Sequence, residues 1–208
     1  MMTFKEIDER INHYEEEIEW SANLIKRLNE ILVDEESKSL IENIEKQKMK
    51  VEFFCFVTSN YLDLLCTYRN LKRAKSDWEK YYNIKIAYLI SYETINTYHK
   101  FKGQIYKTVD QEEKDFYKQF FDMLNREVSE FKEIYDYDNV MSKIRNKSIA
   151  HYDRNFLDYY SSFELIDNNN SKDIVRSFLN FINPLHYFTY GLIKGEIDQF
   201  LFIDSWMS

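Results

Sequence analysis

Val51-Glu-Phe-Phe-Cys-Phe-Val-Thr-Ser-Asn-Tyr-Leu-Asp-Leu-Leu-Cys-Thr-Tyr68 is the stretch on which the fold turns. Val51, Phe54, Thr58, Tyr61, Leu65 and Tyr68 recur at three and four residues, the period of one helix face. From Phe53 to Leu65 the segment is apolar nearly all round. A surface helix shows one apolar stripe, so this one belongs in the middle of a helical bundle.

Other helices are legible on both sides of it. Upstream, Leu40 and Ile44 extend the same period, giving a helix over about 36–72. Before that, Phe4, Ile7, Ile11, Tyr14 and Ile18 mark a helix over about 4–32, with Thr3 and Glu6 at capping-box spacing. The intervening Glu15, Glu16, Glu17 and Glu19 read as a solvated face. Downstream, Ser76 and Glu79 open a third helix carrying Trp78, Tyr81, Ile84, Tyr88, Tyr92, Ile95 and Tyr98, expected to stop near Gly103. A fourth starts with Asp110 and Glu113 and has the stripe Phe116, Phe120, Leu124, Val128, Phe131 and Tyr135. A fifth, over about 138–153, holds Val140, Met141, Ile144 and Ile149. Asn168 to Ser171 is the clearest loop. A last helix follows from about 172, where Pro184 is expected to kink or break the pattern. The tail from Gly195 is apolar and ends near Trp206. The expected architecture is all-α, an up-and-down bundle of five to six helices forming a single domain over 1–208.

Composition agrees with that reading. The chain has 208 residues with Gly 3 times and Pro once, too few for turn-rich β folds or glycine-rich phosphate loops. Cys55 and Cys66 lie about 16 Å apart along one helix, too far to bridge, and read as free thiols. No signal-like N-terminus and no run of 18 apolar residues is present, so the expected location is cytoplasmic, without a membrane partner. The net charge of −8 is unevenly spread: residues 1–47 carry −7, 48–107 carry +6 and 108–208 carry −7. Bulk charge therefore argues against non-specific nucleic-acid binding. The basic middle segment can still offer a local phosphate-binding surface, or be an ordinary solvated face.

Several chemistries lack their residues. No Glu-x-x-His, His-Glu-x-x-His or Cys-x-x-Cys occurs, so no metal site or cofactor is expected. Nucleophile elbows of the Gly-x-Ser-x-Gly type are missing too. Of the four histidines, His13, His99 and His186 stand without a partner motif and read as structural or solvated. His151 stands in Ile144-Arg145-Asn146-Lys147-Ser148-Ile149-Ala150-His151-Tyr152-Asp153.

This stretch resembles the signature of the HEPN superfamily: an Arg followed by a polar residue, then His after four to six residues. Five separate Arg145 from His151. Arg145-Asn146, Ala150-His151 and Asp153 look most like branches of the abortive-infection type. The resemblance is tight over about ten residues and looser over the helix around Asp63 and Arg69. It implies a metal-independent endoribonuclease acting as a toxin or antiphage effector, with RNA as substrate and a protein antitoxin as a possible partner. In that scheme His151 moves the proton of a ribose 2′-hydroxyl or of the leaving 5′-oxygen. Arg145 holds the phosphate, Asn146 positions phosphate or imidazole, and Asp153 orients His151. Asp63 is the candidate for a further polar residue from an earlier helix. Tyr152 stands next to the His where a paired-antitoxin branch has a modifiable Tyr two residues on, and Asp153 takes that place. On an ideal helix Arg145 and His151 are some 120° apart, so a shared pocket needs a distorted helix or a homodimer with its motifs at the two-fold axis. The alternative is a non-catalytic helical dimer that binds nucleotide, RNA or a protein, with Arg145 paired to Asp138 or Glu133.

Overall fold

The structure is a computed structural model, and it describes residues 2–34, 36–146, 156–167 and 173–194. Seven α-helices and no strand occur among them. They are α1 (Phe4–Asp34), α2 (Lys38–Arg73), α3 (Asp77–Thr108), α4 (Lys114–Ile134), α5 (Ser142–Ile144), α6 (Phe156–Asp167) and α7 (Ile174–Lys194). A π-helical turn, Tyr137–Met141, joins α4 to α5. The all-α bundle read from the sequence is the fold.

Local chemistry sets where the long helices begin. Thr3 Oγ1 accepts from the Glu6 amide at 3.2 Å, and Glu6 returns a carboxylate oxygen to the Thr3 amide at 2.6 Å. Ser76 and Glu79 repeat this reciprocal arrangement at the start of α3. Each box satisfies amides that the first helical turn leaves unpaired. Connections of a few residues between α1, α2, α3 and α4 make neighbours run antiparallel.

α2 is the central helix and packs on α1, α3 and α7. Phe53, Phe54, Val57, Leu64 and Leu65 on it are fully buried, as the near-uniform apolarity of that stretch requires. α7 supplies Ile174, Phe178, Phe181, Leu185 and Phe188 to the same core. Aromatic rings fill much of it: Phe53 stacks on Phe101 at 5.1 Å, and Phe120 on Phe188 at 4.3 Å. At the rim, Trp78 of α3 leans on Phe163 of α6 at 5.0 Å, and Trp20 of α1 sits under the Lys194 ammonium at 5.2 Å.

Three expectations need correction. α3 does not stop near Gly103 but runs to Thr108, because Ile105, beyond the glycine, is fully buried and holds the last turns against the core. Pro184 does not break α7, which is helical from Ile174 to Lys194; the apolar stripe on either side of the proline packs as one face. α6 spans residues to which the apolar period assigns no helix, and it packs against α3 and α5. The Asn168–Ser171 loop and the tail from Gly195 lie outside the described residues.

Candidate functional site

The Arg-Asn pair sits where the chain leaves α4 and abandons α-helical register. Asp136 takes a left-handed conformation, φ 45°, ψ 66°. Its carbonyl then accepts from both Val140 (2.8 Å) and Met141 (3.2 Å), the second bond spanning five residues. Such π turns are uncommon and recur at functional sites. Met141 and Ile144, both fully buried, pin the distorted segment to the core. This turn precedes both motif residues, so it sets how Arg145 meets α3, while the 120° expected between Arg145 and His151 falls on a segment outside the described residues.

Arg145 reaches away from its own helix to α3. Its Nε donates to Glu93 Oε1 at 2.9 Å, and one terminal nitrogen, Nη1, donates to Asn146 Oδ1 at 2.9 Å. Asn146 Nδ2 in turn lies 3.5 Å from Ser142 Oγ. The guanidinium stands 5.9 Å from the Tyr92 ring centre. Tyr92 stacks on Tyr137 at 4.5 Å and 11°, and the Lys132 ammonium covers the other ring at 4.4 Å. The Tyr137 hydroxyl donates to the Tyr92 carbonyl at 3.3 Å, and burial pushes that phenol up to about 12. It stays protonated at neutral pH and keeps donating. Arg145 and Glu93 have side chains 37% and 40% exposed, so the pair is open to solvent and to a ligand.

Arg145 and Asn146 are thus brought together. His151 and Asp153 lie outside the described residues. Asp63 is exposed on α2 and makes no hydrogen bond or ion pair with Arg145 or Glu93 among the described residues; partial burial raises its carboxyl above the ordinary range. The polar side chain that α2 presents to α3 is Asn60, one turn earlier, whose Oδ1 accepts from Thr94 Oγ1 at 2.8 Å. The expected helix-surface pairing of Arg145 with Asp138 or Glu133 is replaced by Glu93, 52 residues away in sequence. Glu93, Tyr92 and Tyr137 were invisible as site residues beforehand. Their only sequence signal was a helical face of α3 with a carboxylate among rings.

The other histidines divide. His186 is buried between α1, α2 and α7, stacked on Tyr61 at 5.0 Å and edge-on to Tyr14 at 4.4 Å. Burial first, then Arg10, push its pKa down to about 3, so it is neutral. Its Nε2 has no partner among the described residues. His99 lies on the outer side of α3; partial burial of its ring, then Lys102 and Lys132, lower its pKa. Among the described residues no three His, Cys, Asp or Glu side chains gather as metal ligands. No described helix is long and apolar enough to cross a membrane.

No family model, curated protein or solved structure matches this chain. The site must therefore be read from its own chemistry. A guanidinium held by Glu93 and Asn146 and partly exposed has the chemistry to take an anion. A phosphate accepts from such a fork in a defined orientation.

Proposed function

We propose that the protein is a metal-independent endoribonuclease of the HEPN type. The observation that carries the reading is the fixed Arg145: Glu93 and Asn146 each take one nitrogen, and Nη2 makes no hydrogen bond among the described residues. That nitrogen would grip a phosphate oxygen and stabilise the charge that grows on it as the 2′-oxygen attacks phosphorus. The P–O5′ bond breaks, leaving a cyclic 2′,3′-phosphate and a 5′-hydroxyl. His151, six residues on, supplies the proton transfer at neutral pH. A second copy across a two-fold axis supplies the complementary acid or base, so the active species is a C2 homodimer. The resemblance extends the reading to a toxin or antiphage effector held by a protein antitoxin.

The test is cleavage of single-stranded RNA in EDTA by wild type, Arg145→Ala and His151→Ala. Loss of about 10²–10³-fold in each variant is expected, the range for removing a group that stabilises transition-state charge. Equal cutting by all three, or none by wild type, would overturn the mechanism. Sedimentation equilibrium checks the dimer against the 25.5 kDa chain mass.

One observation favours the non-catalytic reading: Arg145–Glu93 ties the motif segment to α3 and can serve as a strut. An ion pair this exposed is worth about 1 kcal/mol or less. Arg145→Ala should therefore melt within a few degrees of wild type. A much larger loss of stability, with no loss of cutting, would favour the strut.

A further inference from the structure

Beyond Arg145, α3 and α4 form an antiparallel pair whose facing edges carry a regular pattern. On α3 the residues Tyr92, Asn96, His99, Gly103 and Tyr106 recur at four and three, a single stripe spanning about 21 Å. On α4 the residues Lys118, Asp122, Asn125, Ser129 and Lys132 repeat the same spacing in the opposite direction. The two helices are tied at Asn125, whose Oδ1 takes Lys102 Nζ at 3.1 Å and lies 3.5 Å from the Tyr98 hydroxyl. They are tied again where Lys132 covers Tyr137, stacked on Tyr92.

The far end of this edge opens into a cavity of about 390 Å³. Its walls include Lys102, Tyr106, Lys107, Lys118 and Phe121, with Asp122 the one carboxylate. Gly103 lies in the middle of the α3 wall, and a Cβ built there meets nothing within 4 Å, so the space above it is empty. Lys107 and Lys118 are exposed, and Tyr106 is 36% exposed. Lys102 is half-buried, and that burial lowers its pKa. In a chain of net charge −8, this edge carries Lys102, Lys107, Lys118, Lys132 and Arg145 against Asp122, Asp138 beside Tyr137, and the already paired Glu93.

From this juxtaposition we infer that the α3–α4 edge is a track for single-stranded RNA, leading from the cavity at Lys107 and Lys118 to the guanidinium of Arg145. The inference rests on the ribonuclease reading for its direction and adds the path of the substrate. Cations spaced along a groove follow a phosphate backbone, and flat exposed rings accept bases without reading sequence. Tyr106 offers an exposed ring at one end; at the other, Tyr92 and Tyr137 are half-buried against each other and support the cations Arg145 and Lys132 that meet the backbone. A duplex, with its bases already stacked, would gain only the phosphate contacts.

The experiment is fluorescence anisotropy of a labelled single-stranded RNA dodecamer of mixed sequence with the full chain. Wild type is compared with Lys107→Glu/Lys118→Glu and with Tyr106→Ala. The double variant should bind about tenfold more weakly or worse, and its log affinity should fall less steeply with log salt, by about 1.4 for two lost phosphate contacts. Tyr106→Ala should lose about fivefold or more, the stacking of one base; it carries the test alone if the charge reversals prevent folding. Affinities equal to wild type in both variants would overturn the track, as would equal affinity for an RNA duplex or a polyphosphate chain. Failure of the two ideas is separable. RNA bound through these lysines but never cut keeps the track and removes the ribonuclease. RNA cut with unchanged KM by Lys107→Glu/Lys118→Glu keeps the ribonuclease and removes the track.

Discussion

Single residues in this protein carry more physics than their neighbours in sequence announce. His186 is the plainest case. Folded, it refuses a proton down to about 3; unfolded, it accepts one near the ordinary histidine value of 6.5. Stability is therefore full above about pH 6.5 and is lost as pH falls, by about 1.4 kcal/mol per unit, until the folded pKa is reached. His186→Phe keeps the ring against Tyr61 and Tyr14 and removes the unpartnered Nε2. Its stability should be equal or higher at pH 7, with a flattened acid limb in urea titrations across pH 4–6.5. Gly103 is a second case. Its added Cβ meets no atom, so Gly103→Ala should stabilise α3 by about 0.5–1 kcal/mol, read as a higher urea midpoint at unchanged slope. Arg145 and Asn146 stand out in the sequence because a motif pairs them, and their side chains do bond to each other. Glu93 was not, since ion-pair partners across a bundle have no fixed sequence offset.

At the scale of elements, periodicity located the long helices well and their interruptions poorly. Apolar stripes spread over several turns survive an error of a residue or two. Stops depend on what the next turn buries, which is why α3 passes Gly103 and α7 passes Pro184. The proline still removes one backbone donor and crowds the carbonyl of Asn180. Pro184→Ala should raise stability by about 1–3 kcal/mol, seen by thermal melting, since the half-buried site has the helical backbone alanine favours. The π turn was not legible, since one extra residue in a turn before Arg145 leaves no mark on the apolar period. Asp136, at positive φ, sets that turn, and its carboxylate accepts from Asn139 at 2.9 Å. Asp136→Gly should be tolerated within about 1 kcal/mol, whereas a β-branched Asp136→Val should cost about 1–2 kcal/mol more than the glycine variant. Deleting Asn139 would restore α register and turn Arg145 by about 100° away from Glu93. Such a chain should fold, lose the Arg145–Glu93 pair and cut RNA as poorly as Arg145→Ala in the same assay.

The whole molecule is a helical bundle around one heavily aromatic centre, and that much was written in the run from Val51 to Tyr68. Its charge layout was legible as numbers before it was legible as a surface: the +6 of residues 48–107 reaches the α3–α4 edge only through Lys102 and Lys107, joined there by lysines from α4. The placement of tryptophan has a spectroscopic consequence. Among the described residues Trp20 and Trp78 are 50% and 56% exposed, both at the rim, while the buried rings are tyrosine, phenylalanine and His186. Emission from Trp78, isolated by replacing Trp20 and Trp206 with Phe, will follow the release of α6 through Phe163, whereas far-ultraviolet ellipticity follows α2 and the helices around it. Two optical probes of one sample should then give different midpoints, and the gap between them measures how independently the rim lets go.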